Sequence, residues 1–382
     1  MTDRQTDRQT DRQTDRQTKI VHILHGLATG GTEKFVMNVV SALEKERYDI
    51  SFVLALDDNE ESHQFQEDDA LKMGVKIYRT CDLGSIKRWI IHYKKLRKIL
   101  KEEGSFDVVH CNMDLFNGIN LMAAKKEKIP VRICHSHNSE SQYAANNIKK
   151  IAARIYRVIM RRYIYKYATV MLGCSRLAND YLYGHKWVRD ERCKVLYNGI
   201  PIGKFQTNNR KQNDGKRNFI TVGRFSRQKN PLFLLEILDE LSKIRNDFHF
   251  IWIGNGEMEA EVKRQAKAKG IDKKISFMGR QEDVAKFLKE SEFFLFPSIF
   301  EGLPITLIEA QCAGVECFVS DSVTREVDMG LCHYISLKRG SREWAEFISA
   351  KMDDKSEKKI DPEKLKQFDI TYTIKKLEEI YK

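Results

Sequence analysis

The 382-residue sequence lacks any long apolar run, any hydrophobic leader and any paired arrangement of its cysteines. Its most apolar stretches, such as Phe248–Gly254, are far shorter than the roughly 20 residues that a membrane-spanning helix needs. Residues 2–18 are wholly polar, so no signal peptide is expected. The eight cysteines show neither CxxC pairs nor metal-ligand spacing, which favours buried free thiols. These absences predict a cytoplasmic protein without a metal centre.

The composition is that of a soluble globular protein, with 42% hydrophobic and 31% charged residues. The length suffices for two α/β domains of ordinary size. Sixty-six basic and 54 acidic residues give a net charge of +12, which can attract nucleic acid, anionic lipid or phosphorylated substrates. No nucleic-acid-binding motif is present, so nucleic acid is not an expected partner.

The basic charge is concentrated in two helix-like stretches, residues 87–101 and 149–166. In the second stretch, apolar residues recur at helical spacing: Ile151, Ile155, Val158, Ile159 and Tyr163. We expect this apolar face to pack on the protein core and the basic face to rest on an anionic membrane surface. A basic face that is only solvated is the alternative.

Residues 2–17 are four copies of Thr-Asp-Arg-Gln. The tract has nothing apolar to bury and is expected to be disordered. The quartet can be encoded by a repeated four-base unit, ACAG, and such DNA slips during replication with a change of reading frame. The repeat therefore suggests phase-variable expression, a hypothesis that requires the same codons in every copy.

The remaining chain reads as strands and helices in alternation. An apolar strand at residues 19–24 leads through Gly30 and Gly31 into a helical pattern, which is the opening of a βαβ unit. A second series of strands starts at residues 194–197, and the polar segment 207–217 is expected to be a surface loop. Such alternation predicts parallel sheets covered by helices, with a ligand cleft between the two domains. The predicted parts are the repeat 1–18, an N-terminal domain 19–190, a C-terminal domain 191–365 and a helix 366–382 that packs back on the N-terminal domain.

The most informative segment for chemistry is Ser298–Glu309. Pro304 suits the first position of a helix, which places Glu301 in the preceding loop and Glu309 in the second helical turn. The two carboxylates are therefore not expected to share a proton. Gly302 permits close backbone approach, and the unpaired N–H groups at the helix start suit phosphate or sugar oxygens.

From about residue 19 to its end, the sequence resembles glycosyltransferase family 4. The most specific motif is E-x7-E within FEGLPITLIEA, and GRFSRQKN, HSHN, YNGI and GGTE accompany it. The combination is most similar to the branch that builds capsule, exopolysaccharide and lipopolysaccharide. This resemblance implies an α/β protein with the GT-B fold, in which the parallel sheets of two Rossmann-like domains face a central cleft.

The resemblance also implies roles for individual residues. Arg224 and Lys229 would clamp the donor diphosphate, and Arg227 is a rival to Lys229. Glu309 would accept hydrogen bonds from the ribose. Glu301 would hold hydroxyls of the transferred sugar beside the backbone of Gly302, Leu303 and Pro304.

In the N-terminal domain, Gly30 and Gly31 would let the backbone approach the phosphates and the acceptor. His135 would contact the sugar near the reacting carbon, with His137 as its competitor. Two further features have ordinary structural readings: Glu33 favours the start of its helix, and residues 254–256 form a glycine turn that lacks the third glycine of a dinucleotide motif.

The implied activity is retaining transfer of a hexose from a nucleotide sugar, with UDP-sugars favoured, to a lipid-linked or surface-glycan acceptor. Family members need no metal, and the absence of a DxD motif agrees with this. The alternatives are a nucleotide-sugar epimerase or disaccharide synthase of the same fold, or a catalytically silent partner subunit. The intact residues Arg224, Lys229, Glu301 and Glu309 argue against the silent subunit.

Overall fold

The computed structural model describes residues 16–28, 30–138, 147–206, 215–354, 356 and 359–382. The predictions for most of the N-terminal repeat and for the loop at 207–214 lie outside these residues. The chain forms two compact units. One unit ends at Leu196 and also contains Thr373–Lys382, and the other comprises Tyr197–Tyr372.

The first unit is built on a seven-stranded sheet of order β3-β2-β1-β4-β5-β6-β7, in which every neighbouring pair is parallel. Its strands are β1 Thr18–Leu24, β2 Tyr48–Leu54, β3 Lys76–Arg79, β4 Val108–Cys111, β5 Val131–Ser136, β6 Val170–Gly173 and β7 Cys193–Val195. Its helices are α1 Gly31–Ala42, α2 Glu67–Lys72, α3 Ile86–Glu102, α4 Asn117–Lys126, α5 Asn147–Tyr167 and α6 Arg176–Tyr183.

The second unit is built on a six-stranded sheet of order β10-β9-β8-β11-β12-β13, again parallel throughout. Its strands are β8 Arg217–Val222, β9 Phe248–Ile253, β10 Ile275–Gly279, β11 Phe293–Phe296, β12 Glu316–Ser320 and β13 Cys332–Ile335. The helices that follow β7 are α7 Ile202–Phe205, α8 Pro231–Ile244, α9 Glu259–Ala268, α10 Val284–Lys289, α11 Ile305–Cys312, α12 Gly340–Met352, α13 Pro362–Gln367 and α14 Ile370–Tyr381.

Most residues of the central strands β1, β4, β8 and β11 are buried, as expected for parallel sheets whose two faces are covered by helices. In β11, all four residues from Phe293 to Phe296 are buried. Trp344 of α12 is completely buried in the same unit, where its ring meets Phe233 of α8 edge-on with ring centroids 5.9 Å apart. The predicted α/β class with two parallel sheets is therefore confirmed.

Both sheets have the strand order of a Rossmann fold, and the order reverses at one point in each. The reversal lies between β1 and β4 in the first unit and between β8 and β11 in the second. Ligands of open α/β sheets bind beyond the carboxyl ends of the strands at such a point. The loops after these four strands are therefore where a site is expected.

One strand assignment made from the sequence needs correction, and one strand was missed. The strand predicted to open the second half is β7, and it pairs with β6 at the edge of the first sheet. The last strand of the second sheet, β13, was not predicted. Apolar runs this short do not show which sheet a strand joins, because pairing is a tertiary choice.

The prediction for the basic helix α5 is wrong about which face is buried. Ile151, Ile155, Val158 and Ile159 are all exposed, by 42% to 63%. The residues of α5 that enter the core are Met160 and Ile164. Both sets have helical spacing, and periodicity alone does not show which of two apolar stripes packs on the protein. Among the described residues, no helix is long and apolar enough to cross a membrane.

Candidate active site

Two loops of the second unit meet beyond the carboxyl ends of β8 and β11. The first loop follows Val222 and the second follows Phe296. The backbone N–H of Ile299 donates to the carbonyl of Gln228 (2.8 Å), and the Gln228 side-chain amide donates to the carbonyl of Phe300 (3.0 Å). Gln228 was not among the predicted site residues, yet it joins the loop that carries Lys229 to the loop that carries Glu301.

Lys229 and Glu301 form an ion pair, with Nζ 2.7 Å from Oε1. The lysine side chain is 23% exposed and the glutamate side chain 7%. The ammonium also lies 4.6 Å from the centroid of the Phe296 ring. An ammonium has three donors, so the pair still leaves Lys229 able to bind a phosphate oxygen beside the carboxylate.

Arg224 lies five residues earlier in the same loop and is exposed. Arg224, Lys229 and Ser298 border one small pocket. Arg227, the rival of Lys229, is exposed and is not among the residues that line this pocket. Geometry therefore groups Arg224 with Lys229 and leaves Arg227 aside.

The turn at Gly254–Gly256 packs against the loop after Val222, which carries Arg224. The backbone N–H of Phe225 donates to the carbonyl of Asn255 (3.0 Å), and Gly254 has φ +139°. A Cβ at Gly254 would lie 1.9 Å from the carbonyl oxygen of Gly223. Only glycine permits this approach, so the turn positions the loop that carries Arg224.

The helix α11 starts one residue later than the sequence suggested. Pro304 is its N-cap with an extended ψ of 93°, and its carbonyl accepts the N–H of Leu307 (3.0 Å). Gly302, Leu303 and Pro304 form the approach to the helix, with Leu303 buried. Glu309 is completely buried in the second turn. Its contact with a ribose stays a prediction, because the carboxylate is shielded from solvent in this structure.

In the first unit, Gly30 and Gly31 lie at the start of α1, after β1. Gly30 is the N-cap in an extended conformation, and its carbonyl accepts the N–H of Lys34 (3.1 Å). The Glu33 carboxylate folds back over Gly30, since a Cβ there would lie 2.3 Å from its Oε2. Glu33 thus sits in the first helical turn, where negative charge is favoured.

Four histidine rings follow one another beside this helix start. The ring centroids are 4.7 Å apart for His22 and His110, 5.2 Å for His110 and His135, and 4.1 Å for His135 and His137. Phe35 of α1 meets His135 edge-on at 5.0 Å. His135 is completely buried and His137 is 8% exposed, so both candidates for the sugar contact belong to one cluster.

Burial keeps these rings neutral. It lowers the pKa of His22 and of His137 to about 3. It also lowers the pKa of His110 and of His135 well below the usual value, and neighbouring imidazoles add to both shifts. A neutral imidazole has one donor and one acceptor, so this cluster presents hydrogen-bonding groups without charge.

A wider pocket lies at the amino ends of the strands of the second sheet, where β8, β11 and β12 begin. Two of its carboxylates are already paired: Glu292 with Arg217, and Glu316 with the neighbouring His333 at 3.0 Å. It lies at the amino ends of the strands, away from the residues described above. We therefore place the candidate site at the carboxyl ends.

Comparison with known proteins identifies the chain. Residues 29–204 match the family described as glycosyltransferase family 4, and residues 204–329 match glycosyl transferases group 1. The capsular polysaccharide biosynthesis glycosyltransferase CapH of Staphylococcus aureus is 30% identical over 373 residues, which is 95% of this chain and 98% of CapH. The chain belongs to glycosyltransferase family 4.

Other relatives of this family 4 glycosyltransferase agree with the assignment. A UDP-Gal:alpha-D-GlcNAc-diphosphoundecaprenol alpha-1,3-galactosyltransferase of Escherichia coli is 24% identical over 79% of each chain. The crystal structure of Anabaena HepE in complex with UDP superposes with a TM-score of 0.75 at 15% identity, covering 94% of this chain and 98% of HepE. The glycosyltransferase thus has the two-domain GT-B fold, and the predicted family, fold and enzyme class are confirmed.

Proposed function

We propose that this glycosyltransferase moves a sugar, with retention of configuration, from a UDP-sugar to a lipid-linked or surface-glycan acceptor. The observation that carries the proposal is the grouping of Arg224, Lys229 and Glu301 at the switch point of the second sheet. The names of the relatives support the finer points. CapH is named for capsular polysaccharide biosynthesis, and the Escherichia coli relative is named for a UDP-sugar donor and a diphosphoundecaprenol acceptor.

The proposed chemistry requires stabilisation of a leaving diphosphate. The bond between the sugar C1 and the phosphate oxygen breaks as the bond from C1 to the acceptor oxygen forms on the same face. The acceptor proton passes to a diphosphate oxygen, so no protein base is needed. Arg224 and Lys229 would neutralise the charge that grows on the diphosphate, which is where preorganised cations accelerate a reaction most.

Glu301 would have two tasks in this scheme. Its Oε1 accepts from Lys229, and its Oε2 accepts from the Gln228 amide at 3.3 Å. Because a carboxylate offers about four lone-pair sites, it can hold Lys229 and still accept from sugar hydroxyls. The ion pair of Lys229 and Glu301 would thus fix the position of the sugar relative to the diphosphate.

The donor is tested by incubating the protein with a panel of UDP- and GDP-sugars and measuring slow hydrolysis, with and without EDTA. We expect one UDP-sugar to be hydrolysed at a rate that EDTA does not change, with α-configured product by NMR. Lys229→Ala is the matched inactive control. Absence of binding and hydrolysis with every donor would support the silent-subunit alternative. A change of the sugar without its transfer would support the epimerase.

The membrane assignment rests on a surface that we call the isoleucine face: Ile86, Ile90 and Ile91 of α3 with Ile151, Ile155, Val158 and Ile159 of α5, all exposed. Trp89 of α3 and Tyr156 of α5 link the two helices, with ring centroids 5.5 Å apart. Arg154 and Arg162 of α5 are exposed as well. Exposed aliphatic side chains beside cations suit a surface with an apolar interior and anionic headgroups. We propose that this face docks on the inner surface of the cytoplasmic membrane.

Co-sedimentation with vesicles tests this docking. The protein should bind vesicles of anionic phosphatidylglycerol more tightly than vesicles of phosphatidylcholine, and Ile155→Asp with Ile159→Asp should abolish most of the binding. Ile244→Asp is the control, because Ile244 is 47% exposed but lies in the second unit. Equal binding by wild type and the double variant would exclude the isoleucine face.

Phase-variable expression remains part of the proposal, because the Thr-Asp-Arg-Gln repeat is compatible with tandem four-base units. Sequencing the coding DNA from several isolates tests it. We expect different numbers of the same unit. Codons that differ between copies of the repeat would exclude slippage.

A further inference from the structure

The buried histidines of the first unit are joined to the end of the chain by hydrogen bonds. Tyr381, the penultimate residue, lies in the last turn of α14 and is almost fully buried. Its hydroxyl is 3.0 Å from Nδ1 of His110, and Nε2 of His110 is 3.1 Å from Nδ1 of His135. At the far end, Nε2 of His135 is buried and has no hydrogen-bond partner among the described residues.

The donors and acceptors in this series of hydrogen bonds follow from the chemistry of the Tyr381 hydroxyl. A phenol is a stronger hydrogen-bond donor than a neutral imidazole, and an imidazole nitrogen is the stronger acceptor. Tyr381 therefore donates to Nδ1 of His110, which places the proton of His110 on Nε2. That proton is donated to Nδ1 of His135, so the proton of His135 must be on Nε2.

The neighbouring ring, that of His137, presents an acceptor instead of a donor. The Asn112 amide donates to the carbonyl of His110 (3.0 Å), which fixes its orientation and leaves its Oδ1 3.0 Å from Nε2 of His137. His137 therefore carries its proton on Nε2, and its Nδ1 is a buried acceptor without a partner among the described residues. Adjacent rings thus present an N–H from His135 and a lone pair from His137.

We propose that Tyr381, acting through His110, holds His135 in the tautomer that offers an Nε2–H to a substrate oxygen. The two nitrogens without a partner among the described residues supply the argument for a ligand, because a buried polar atom without a hydrogen bond is unfavourable. A sugar hydroxyl both accepts and donates, so it would satisfy a donor and an acceptor of this kind. The sugar as ligand rests on the proposed function. In this arrangement Tyr381 and His110 are positioning residues.

The tautomers are read directly from long-range ¹H–¹⁵N correlation spectra of protein labelled with ¹⁵N at histidine, recorded without substrate. Wild type should show the Nε2–H form for both His110 and His135. Tyr381→Phe should shift the signals of both rings toward the other tautomer or a mixture. An Nδ1–H form of His135 in wild type, or unchanged His135 signals in Tyr381→Phe, would overturn the proposal.

Tyr48→Phe is a matched control for loss of helix anchoring. The Tyr48 hydroxyl donates to Oε1 of Glu378 (3.2 Å), so it also ties α14 to the first unit, but it lies outside the histidine chain. We expect Tyr381→Phe to lower kcat/KM about tenfold, as the loss of one directed hydrogen bond would, and Tyr48→Phe to leave it near wild type. Equal losses in both variants would mean that Tyr381 only anchors the helix. Failure of the wild type to use any donor would refute the proposed function but would leave the tautomer result unaffected.

Discussion

Mild acid should destabilise the first unit, because five imidazoles among its described residues are buried in the neutral form: His22, His92, His110, His135 and His137. The pKa of His22 and of His137 is lowered to about 3 in the folded protein, and the pKa values of His110 and His135 are also lowered, in each case mainly by burial. In the unfolded chain a histidine titrates near 6.5. Below pH 6.5 the unfolded chain therefore binds protons that the folded chain does not, and stability falls as the pH falls.

The size of the effect follows from linkage. Each ring that stays neutral in the fold lowers the free energy of unfolding by about 1.4 kcal/mol for every pH unit below 6.5. By pH 5, protonation of His22 and His137 in the unfolded chain would lower the free energy of unfolding by about 4 kcal/mol, and His92, His110 and His135 add to the loss. The free energy of unfolding of a typical domain is only about 5–15 kcal/mol. The first unit should therefore be close to unfolding near pH 5.

Pulse proteolysis in urea at pH values from 8 to 5 measures this loss, and the fragments show which unit opened. Replacing one ring, His22→Leu, should reduce the slope below pH 6.5 by about 1.4 kcal/mol per pH unit, since one fewer proton is taken up on unfolding. His185→Gln is the control, because that side chain is 93% exposed and meets water in both states. If His22→Leu keeps the wild-type slope, the ring is not held neutral and the reasoning fails.

Three further outcomes concern the donor site. Lys229→Ala should lower kcat by a factor of about 100 or more while leaving donor affinity less changed, because charge neutralisation matters most in the transition state; an unchanged turnover would remove its diphosphate role. Glu309→Ala should mainly weaken UDP binding, by about tenfold to a hundredfold in calorimetry, and an unaltered Kd would refute the ribose contact. Gly254→Ala should displace the Arg224 loop and weaken donor binding, since its Cβ would lie 1.9 Å from the Gly223 carbonyl oxygen. Gly270→Ala is its control, because Gly270 also has a positive φ, +70°, but a Cβ added there would have no atom within 4 Å. Equal loss of donor binding in the two variants would mean that backbone strain alone is responsible.

The residues of the proposed donor site could be selected from the sequence because they are close together in the chain. Arg224 and Lys229 lie in one loop, Glu301 and Glu309 flank one helix start, and both segments directly follow a strand. Strand, loop and helix follow from short-range patterns, and so did the two parallel sheets. The family could thus be identified before any contact was known.

The supports of the site could not be predicted in the same way. Gln228 and Gly254 act through contacts with residues distant in the sequence, and the motifs in which they lie do not reveal such contacts. Likewise, apolar residues lie on two sides of α5, and only packing against the rest of the unit decided that Met160 and Ile164 are buried while Ile151, Ile155 and Ile159 are exposed.

The histidine cluster shows the same division. The sequence by itself placed His135 and His137 at the end of a strand, and the family motif implies that one of them contacts the sugar. Only the tertiary structure brought His22 and His110 from neighbouring strands against them, and placed Tyr381 on His110 across 271 positions of the chain. Burial and hydrogen bonding set the charge and tautomer of an imidazole, and both depend on neighbours that the fold supplies from elsewhere in the chain.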